Sequence, residues 1–178
     1  VIGIAQTGTG KTAAFTLPIL SRLAASFASG GRGGTRMLVI APTRELVFQI
    51  EENVRAYGKY LPLKVATVFG GVGERPQIQA LRSGAEVIIA CPGRLLDLMN
   101  QVHCKLVNVT FFVLDEADRM FDMGFIKDVR RIASSVSKNR QTLMFSATMP
   151  PDVARLAAEV LNDPERIEIA PQGRTVDR

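Results

Sequence analysis

The chain has 178 residues, 47% of them hydrophobic, enough for a single domain that buries most of its unfolded surface. Lys and Arg outnumber Asp and Glu, 22 to 17, and the net charge of +5 suits a polyanionic partner without requiring one. Two cysteines and one histidine exclude a disulfide scaffold and a zinc cluster, and no apolar run is long enough to span a bilayer, so a reducing, cytoplasmic setting is expected.

The first predicted element is an apolar strand over 1–4. Ala5-Gln6-Thr7-Gly8-Thr9-Gly10-Lys11-Thr12 follows at once. Glycines here can take backbone angles that turn successive N–H groups inward, forming a concave anion site. Lys11 adds a mobile positive charge for terminal phosphates, and the Thr12 hydroxyl can hold Mg²⁺. Ala5 stands where the strict pattern has its first glycine. The strand–loop–helix context predicts a bound nucleoside triphosphate. Pro18 falls inside the following helix and is expected to kink it or loosen its first turns. Because the chain lacks an initiator Met and opens within a strand, it is expected to be a piece of a longer protein.

The glycine-rich stretch 29–35 reads as a flexible connection to a strand at 37–41. Pro42-Thr43-Arg44 comes next, with Thr43 placed to cap the helix that begins there. A strand at 65–69 leads to Gly70-Gly71. Another at 86–90 leads through Cys91 to Pro92-Gly93-Arg94, the opening of a further helix. Helix N-termini carry unpaired N–H groups and a positive dipole end, a ready seat for backbone phosphates. Ordinary caps and turns explain the same residues locally.

A strand at 110–114 ends in Asp115-Glu116-Ala117-Asp118. Carboxylates at the exit of a buried strand need matching positive charge, and Mg²⁺ held with Thr12 and a nucleotide would supply it. Asp115 is the expected metal ligand, and Glu116 is placed to orient and partly deprotonate an attacking water. Phe125, Ile126, Val129, Ile132, Ala133 and Val136 form a helical stripe that leaves Lys127, Arg130 and Arg131 on solvated faces. A strand at 142–145 precedes Ser146 and Thr148. A second stripe, Val153, Leu156, Ala157, Val160 and Leu161, follows Pro150-Pro151-Asp152, and 167–169 reads as an edge strand. Apolar runs without polar alternation, separated by helices, predict an α/β domain whose mainly parallel sheet is covered on both faces.

Taken in order, these motifs resemble the amino-terminal RecA-like lobe of DEAD-box RNA helicases over essentially the whole chain. The resemblance rests on the loop at 5–12, Pro-Thr-Arg-Glu-Leu at 42–46, Gly-Gly at 70–71, Pro-Gly-Arg at 92–94, Asp-Glu-Ala-Asp at 115–118 and Ser-Ala-Thr at 146–148. Arg-Met-Phe-Asp-Met-Gly-Phe at 119–125 looks most like the bacterial RhlE-type subgroup. The resemblance implies a three-layer RecA-like P-loop NTPase domain over 1–170. It implies a connector at 171–178 toward a second lobe, which donates arginines to the transition state. A glutamine-containing segment that reads adenine belongs upstream. It implies ATP and Mg²⁺ as cofactors, with Lys11 and Glu116 catalytic. RNA would be gripped by its sugar–phosphate backbone at Pro42, Thr43, Arg44, Gly70, Gly71, Pro92, Gly93 and Arg94, without base specificity. It further implies that Ser146 and Thr148, with Asp118, link hydrolysis to strand separation, although N-capping of the next helix competes as an account of the two hydroxyls. Cys91 stands where the family usually has Thr, a stronger donor. The expected protein is monomeric, with local duplex unwinding in its full-length form and weak turnover by this lobe alone. An ATP-gated RNA clamp without unwinding, or a different P-loop enzyme, are the alternatives.

Overall fold

The computed structural model describes residues 1–6, 8–28 and 33–169. Thr7, most of the glycine-rich connection and the expected connector at 171–178 lie outside the described residues.

Seven strands form one sheet: β1 (Ile2–Ile4), β2 (Met37–Ile40), β3 (Val65–Val68), β4 (Val87–Ala90), β5 (Phe111–Leu114), β6 (Gln141–Ser146) and β7 (Arg166–Glu168). Their order is β3-β4-β2-β5-β6-β1-β7, and every pairing is parallel. Parallel neighbours need crossovers, and helices supply them. These are α1 (Lys11–Ala28), α2 (Arg44–Tyr57), α3 (Arg75–Arg82), α4 (Pro92–Asn100), α5 (Ala117–Asp122), α6 (Ile126–Ser135) and α7 (Pro151–Val160).

Successive strand residues point to opposite faces, so each apolar run feeds two cores. Met37, Val39, Val87, Ile89 and Phe145 pack with Phe15, Ile19 and Leu23 of α1 and Val47, Ile50 and Val54 of α2. Their neighbours Leu38, Ile40, Ile88 and Ala90 pack on the other side with Leu95, Leu98, Val129, Ile132, Val153 and Leu156. Burying each such large side chain contributes roughly 1.5–3 kcal/mol, which is why the strands carry no polar alternation. The predicted three-layer α/β architecture is the observed one.

Boundaries differ in small, explicable ways. The predicted strand at 142–145 extends to Gln141–Ser146, because Ser146 pairs with Ile4 and its carbonyl accepts the Ala5 N–H at 3.0 Å. The edge strand expected at 167–169 is β7, and Ile169 N–H continues its ladder to the Ile4 carbonyl at 2.9 Å. Helix α1 runs through Pro18, whose ring sits on the exposed side. Arg130 stands on a solvated face as expected, and there it joins α6 to α7 through a two-pronged contact with Glu159, at 2.5 and 2.9 Å.

Since all strands run the same way, their carboxyl ends share one edge. The segments at 5–12, 41–44, 69–71, 91–94, 115–118 and 146–148 all leave the sheet there, the edge where open α/β sheets bind ligands.

Candidate nucleotide site and nucleic-acid interface

Gly8 and Gly10 both hold φ at +85°, in the left-handed region, and a Cβ at either would meet nothing within 4 Å. Backbone conformation rather than crowding therefore demands glycine. Thr9 Oγ1 donates to the Gln6 carbonyl at 2.8 Å and ties the loop's start to its tip. Ala5, in place of the first glycine, is buried against the sheet. Lys11, the first residue of α1, folds back so that Nζ donates to the Ala5 carbonyl at 2.7 Å.

Across the cleft, Asp115 follows β5 directly, and its N–H continues the ladder to the Ile40 carbonyl at 3.0 Å. The residue is 2% exposed. Burial pushes the carboxyl up to about 6, opposed by the nearby Lys11 charge and by the Glu116 N–H, which donates to Oδ1 at 2.9 Å. Loss of solvation therefore outweighs the Lys11 charge at this carboxylate. Gly8, Gly10, Lys11, Thr12, Asp115 and Glu116 line one cavity of about 280 Å³. The two halves of the predicted site, far apart in sequence, thus share one space.

Glu116 takes φ 52° and ψ 53°, left-handed for a residue with a long side chain. Such backbone is strained by roughly 1–3 kcal/mol and persists only where surroundings impose it. Arg119 Nη1 approaches Glu116 Oε2 at 3.4 Å.

Asp118 is held from several sides. Thr148 donates both its N–H and its hydroxyl to Oδ2, each at 2.9 Å, and the Arg119 N–H donates to Oδ1 at 3.1 Å. The Asp118 N–H itself donates to Ser146 Oγ at 3.0 Å. Burial alone would raise this carboxyl, but bonds from Thr148 and Ser146 hold it below the usual range. Neither hydroxyl caps α7, whose N-cap is Pro150 without a side-chain bond. Of the two accounts of Ser146 and Thr148, the contact with the acidic tetrad is the one the geometry contains.

The phosphate-seat candidates cluster farther along the same edge. Thr43 caps α2, its Oγ1 accepting the Leu46 N–H at 3.3 Å. Pro92 opens α4, and Cys91 at its N-cap makes no side-chain capping bond. Burial, reinforced by the charge of Glu45, pushes the Cys91 thiol up to about 11, so it stays neutral and adds no charge against a phosphate. Gly71 has φ +80° with open space around it. Arg94 Nη1 donates to the Val72 carbonyl at 3.2 Å, fastening the α4 start to the Gly70-Gly71 loop.

Two groups of residues escaped the sequence reading. Gln77 on α3 is buried; its Oε1 accepts the Phe69 N–H at 3.1 Å, and its Nε2 donates to the carbonyls of Phe69 at 3.1 Å and Gly73 at 3.3 Å. It braces the loop that carries Gly70-Gly71. Gln49, Asn53 and Tyr57, in one stripe of α2 with Leu46 of the 42–46 motif, complete the wall of the nucleotide cavity. Their three- and four-residue spacing was the only signal, and on an exposed helix it reads as surface.

Comparison with known proteins agrees with this arrangement. The family model described as DEAD/DEAH box helicase matches residues 1–156. The chain is 46% identical over 177 residues to the DEAD-box ATP-dependent RNA helicase CshA of Streptococcus pneumoniae, covering 99% of this chain and 33% of that protein. It is 50% identical over 163 residues to the ATP-dependent RNA helicase DBP2 of Encephalitozoon cuniculi, covering 92% and 33%. A crystal structure of a DEAD box protein from Methanococcus jannaschii superposes with TM-score 0.86 at 38% identity, over 94% of this chain and 44% of that one. The chain thus spans between about a fifth and a third of the length of the curated relatives it matches. With the loop, the acidic tetrad and the Ser-Ala-Thr contact arranged on one sheet edge, the chain belongs to the DEAD/DEAH box helicase family.

Proposed function

We propose that this chain is the ATP-hydrolysing, RNA-gripping lobe of an ATP-dependent RNA helicase. The observation that carries the reading is the shared cavity of Lys11, Thr12, Asp115 and Glu116, which sets a buried carboxylate opposite the lysine of the phosphate loop. The loop N–H groups over 6–12 receive the phosphates, and Lys11 moves from the Ala5 carbonyl to the terminal ones. Thr12 and Asp115 are the residues that would hold Mg²⁺. Among the described residues no cluster of three or more His, Cys, Asp or Glu side chains is poised for a metal. A site with few protein ligands suits Mg²⁺, which keeps several waters and phosphate oxygens. When bound, the ion neutralises charge on the phosphates. Glu116 orients the attacking water and takes its proton, and its enforced backbone angle aims the side chain.

RNA lies across the starts of α2 and α4 and the Gly70-Gly71 loop, contacted by Pro42, Thr43, Arg44, Pro92, Gly93 and Arg94. Because helix N-termini and glycine N–H groups read phosphates and not bases, binding is sequence-independent and salt-sensitive. Asp118, Ser146 and Thr148 form a hydrogen-bonded bridge between the acidic tetrad and the end of β6. A shift at the nucleotide is transmitted through it. In the parent protein a second lobe, reached through the connector at 171–178, closes on both ligands and opens a short duplex. The wording at 119–125 supports a RhlE-type member of the family; we further take the protein to be a cytoplasmic monomer.

Glu116→Gln tests the chemistry. In the full-length protein the variant is expected to retain ATP while turnover stops, measured by nucleotide binding beside phosphate release with and without RNA. Normal turnover by the variant removes Glu116 from its role.

A further inference from the structure

Beside the phosphate seats stands a cluster that backbone contacts alone leave unexplained. Arg44 Cζ lies 5.4 Å from the centre of the Phe48 ring and 5.1 Å from that of Phe69. The two rings meet edge to face, 4.9 Å apart at 63°. Phe48 is 41% exposed, whereas Phe69 is 8% exposed. Phe69 is itself fixed by Gln77, which grips both its N–H and its carbonyl. Among the described residues Arg44 has no carboxylate partner.

Ring faces attract a guanidinium, and a stacked guanidinium keeps its in-plane N–H groups free to donate. Phe48 lies one turn beyond Arg44 on α2, the spacing at which helix side chains meet. A long side chain that is already oriented surrenders less freedom when it binds a phosphate. The rings therefore do for Arg44 what a carboxylate would do, without neutralising the charge that a polyanion needs.

We propose that Phe48 is a positioning residue for RNA binding: with Phe69, it presents the Arg44 guanidinium to a backbone phosphate of the strand seated at Thr43 and Gly70-Gly71. This inference rests on the RNA reading above. It adds that affinity depends on an exposed ring that touches no nucleic acid in its own right.

The test is fluorescence anisotropy of a labelled single-stranded oligouridylate at low salt, with thermal melting of each variant. Arg44→Ala weakens binding. Phe48→Leu, which keeps bulk but removes the ring, weakens it about two- to five-fold, the range for an exposed cation–ring contact. Phe48→Trp preserves or improves it. In the Arg44→Ala background Phe48→Leu has no further effect. Loss of the same factor in that background would mean that Phe48 meets the RNA directly, and it overturns the proposal. Unchanged affinity for Phe48→Leu, beside a weakened Arg44→Ala, overturns it while leaving the RNA reading intact. If the unaltered chain does not bind, or Arg44→Ala changes nothing, the RNA reading of this seat fails, and the proposal with it.

Discussion

Asp115 concentrates the energetics of the site. Its carboxyl is raised by burial to about 6 from an ordinary 3.8. A raised folded value means that the folded chain holds this proton more firmly than the unfolded one. The associated stability is complete below about pH 4 and is lost as pH rises through about 6. A rise of this size corresponds to about 3 kcal/mol at most. Asp118 runs the opposite way, stabilising above the ordinary carboxylate range and losing that contribution on acidification. Asp115→Asn isolates the first effect. The ligand-free variant is expected to be more stable than the parent at pH 7–8, by about 1–3 kcal/mol in urea unfolding, with the difference vanishing near pH 4. It is also expected to lose Mg²⁺-dependent nucleotide binding. Equal stabilities at both pH values would show that the carboxylate is not held at a disadvantage. The motif identified Asp115 as a candidate ligand. Its burial was legible only as far as the apolar strand before it was. The left-handed angle of Glu116 was not legible at all, because nothing in a glutamate's composition announces positive φ.

At the scale of elements, what the apolar runs dictate is the sheet. Strand β1 shows how closely the loop is supported. A Cβ on Gly3 would stand 2.6 Å from Phe145 Cδ1 and 2.8 Å from Cε1, and Phe145 in turn packs on Phe15 of α1 with ring centres 5.4 Å apart. Gly3→Ala is therefore expected to destabilise by about 1–3 kcal/mol, as overpacked cores do. Calorimetric melting checks this, and an unchanged melting temperature would show that the ring yields freely. The stripes at 125–136 and 153–161 became α6 and α7 because both faces of the sheet require cover. Helix α2 was harder to read. Its start was read from the Thr43 cap, while its buried stripe, Val47, Ile50 and Val54, emerged with the structure. Its two working faces were not legible either, since Arg44 and Phe48 meet a ring 21 or more positions away, and Leu46, Gln49, Asn53 and Tyr57 face a cavity. Contacts between distant positions have no local signature. Gln77 illustrates the same limit: a glutamine on a short helix reads as surface until its three bonds to the loop at 69–73 are seen.

Across the whole molecule, parallel strand direction converts six separate motifs into one ligand-binding edge. Motif order alone could suggest this, because each motif follows an apolar run and parallel runs end together. Side-chain detail within the edge, such as the Arg94 bond to the Val72 carbonyl, needed the fold. The most direct measurement of the central claim is a titration of this chain with ATP, with and without Mg²⁺, for the parent and Lys11→Ala. A charge-assisted contact is worth about 1.5–3 kcal/mol. Binding that needs Mg²⁺ and weakens about tenfold to a hundredfold in the variant is the predicted result. Affinity indifferent to both the metal and Lys11 would contradict a shared triphosphate site.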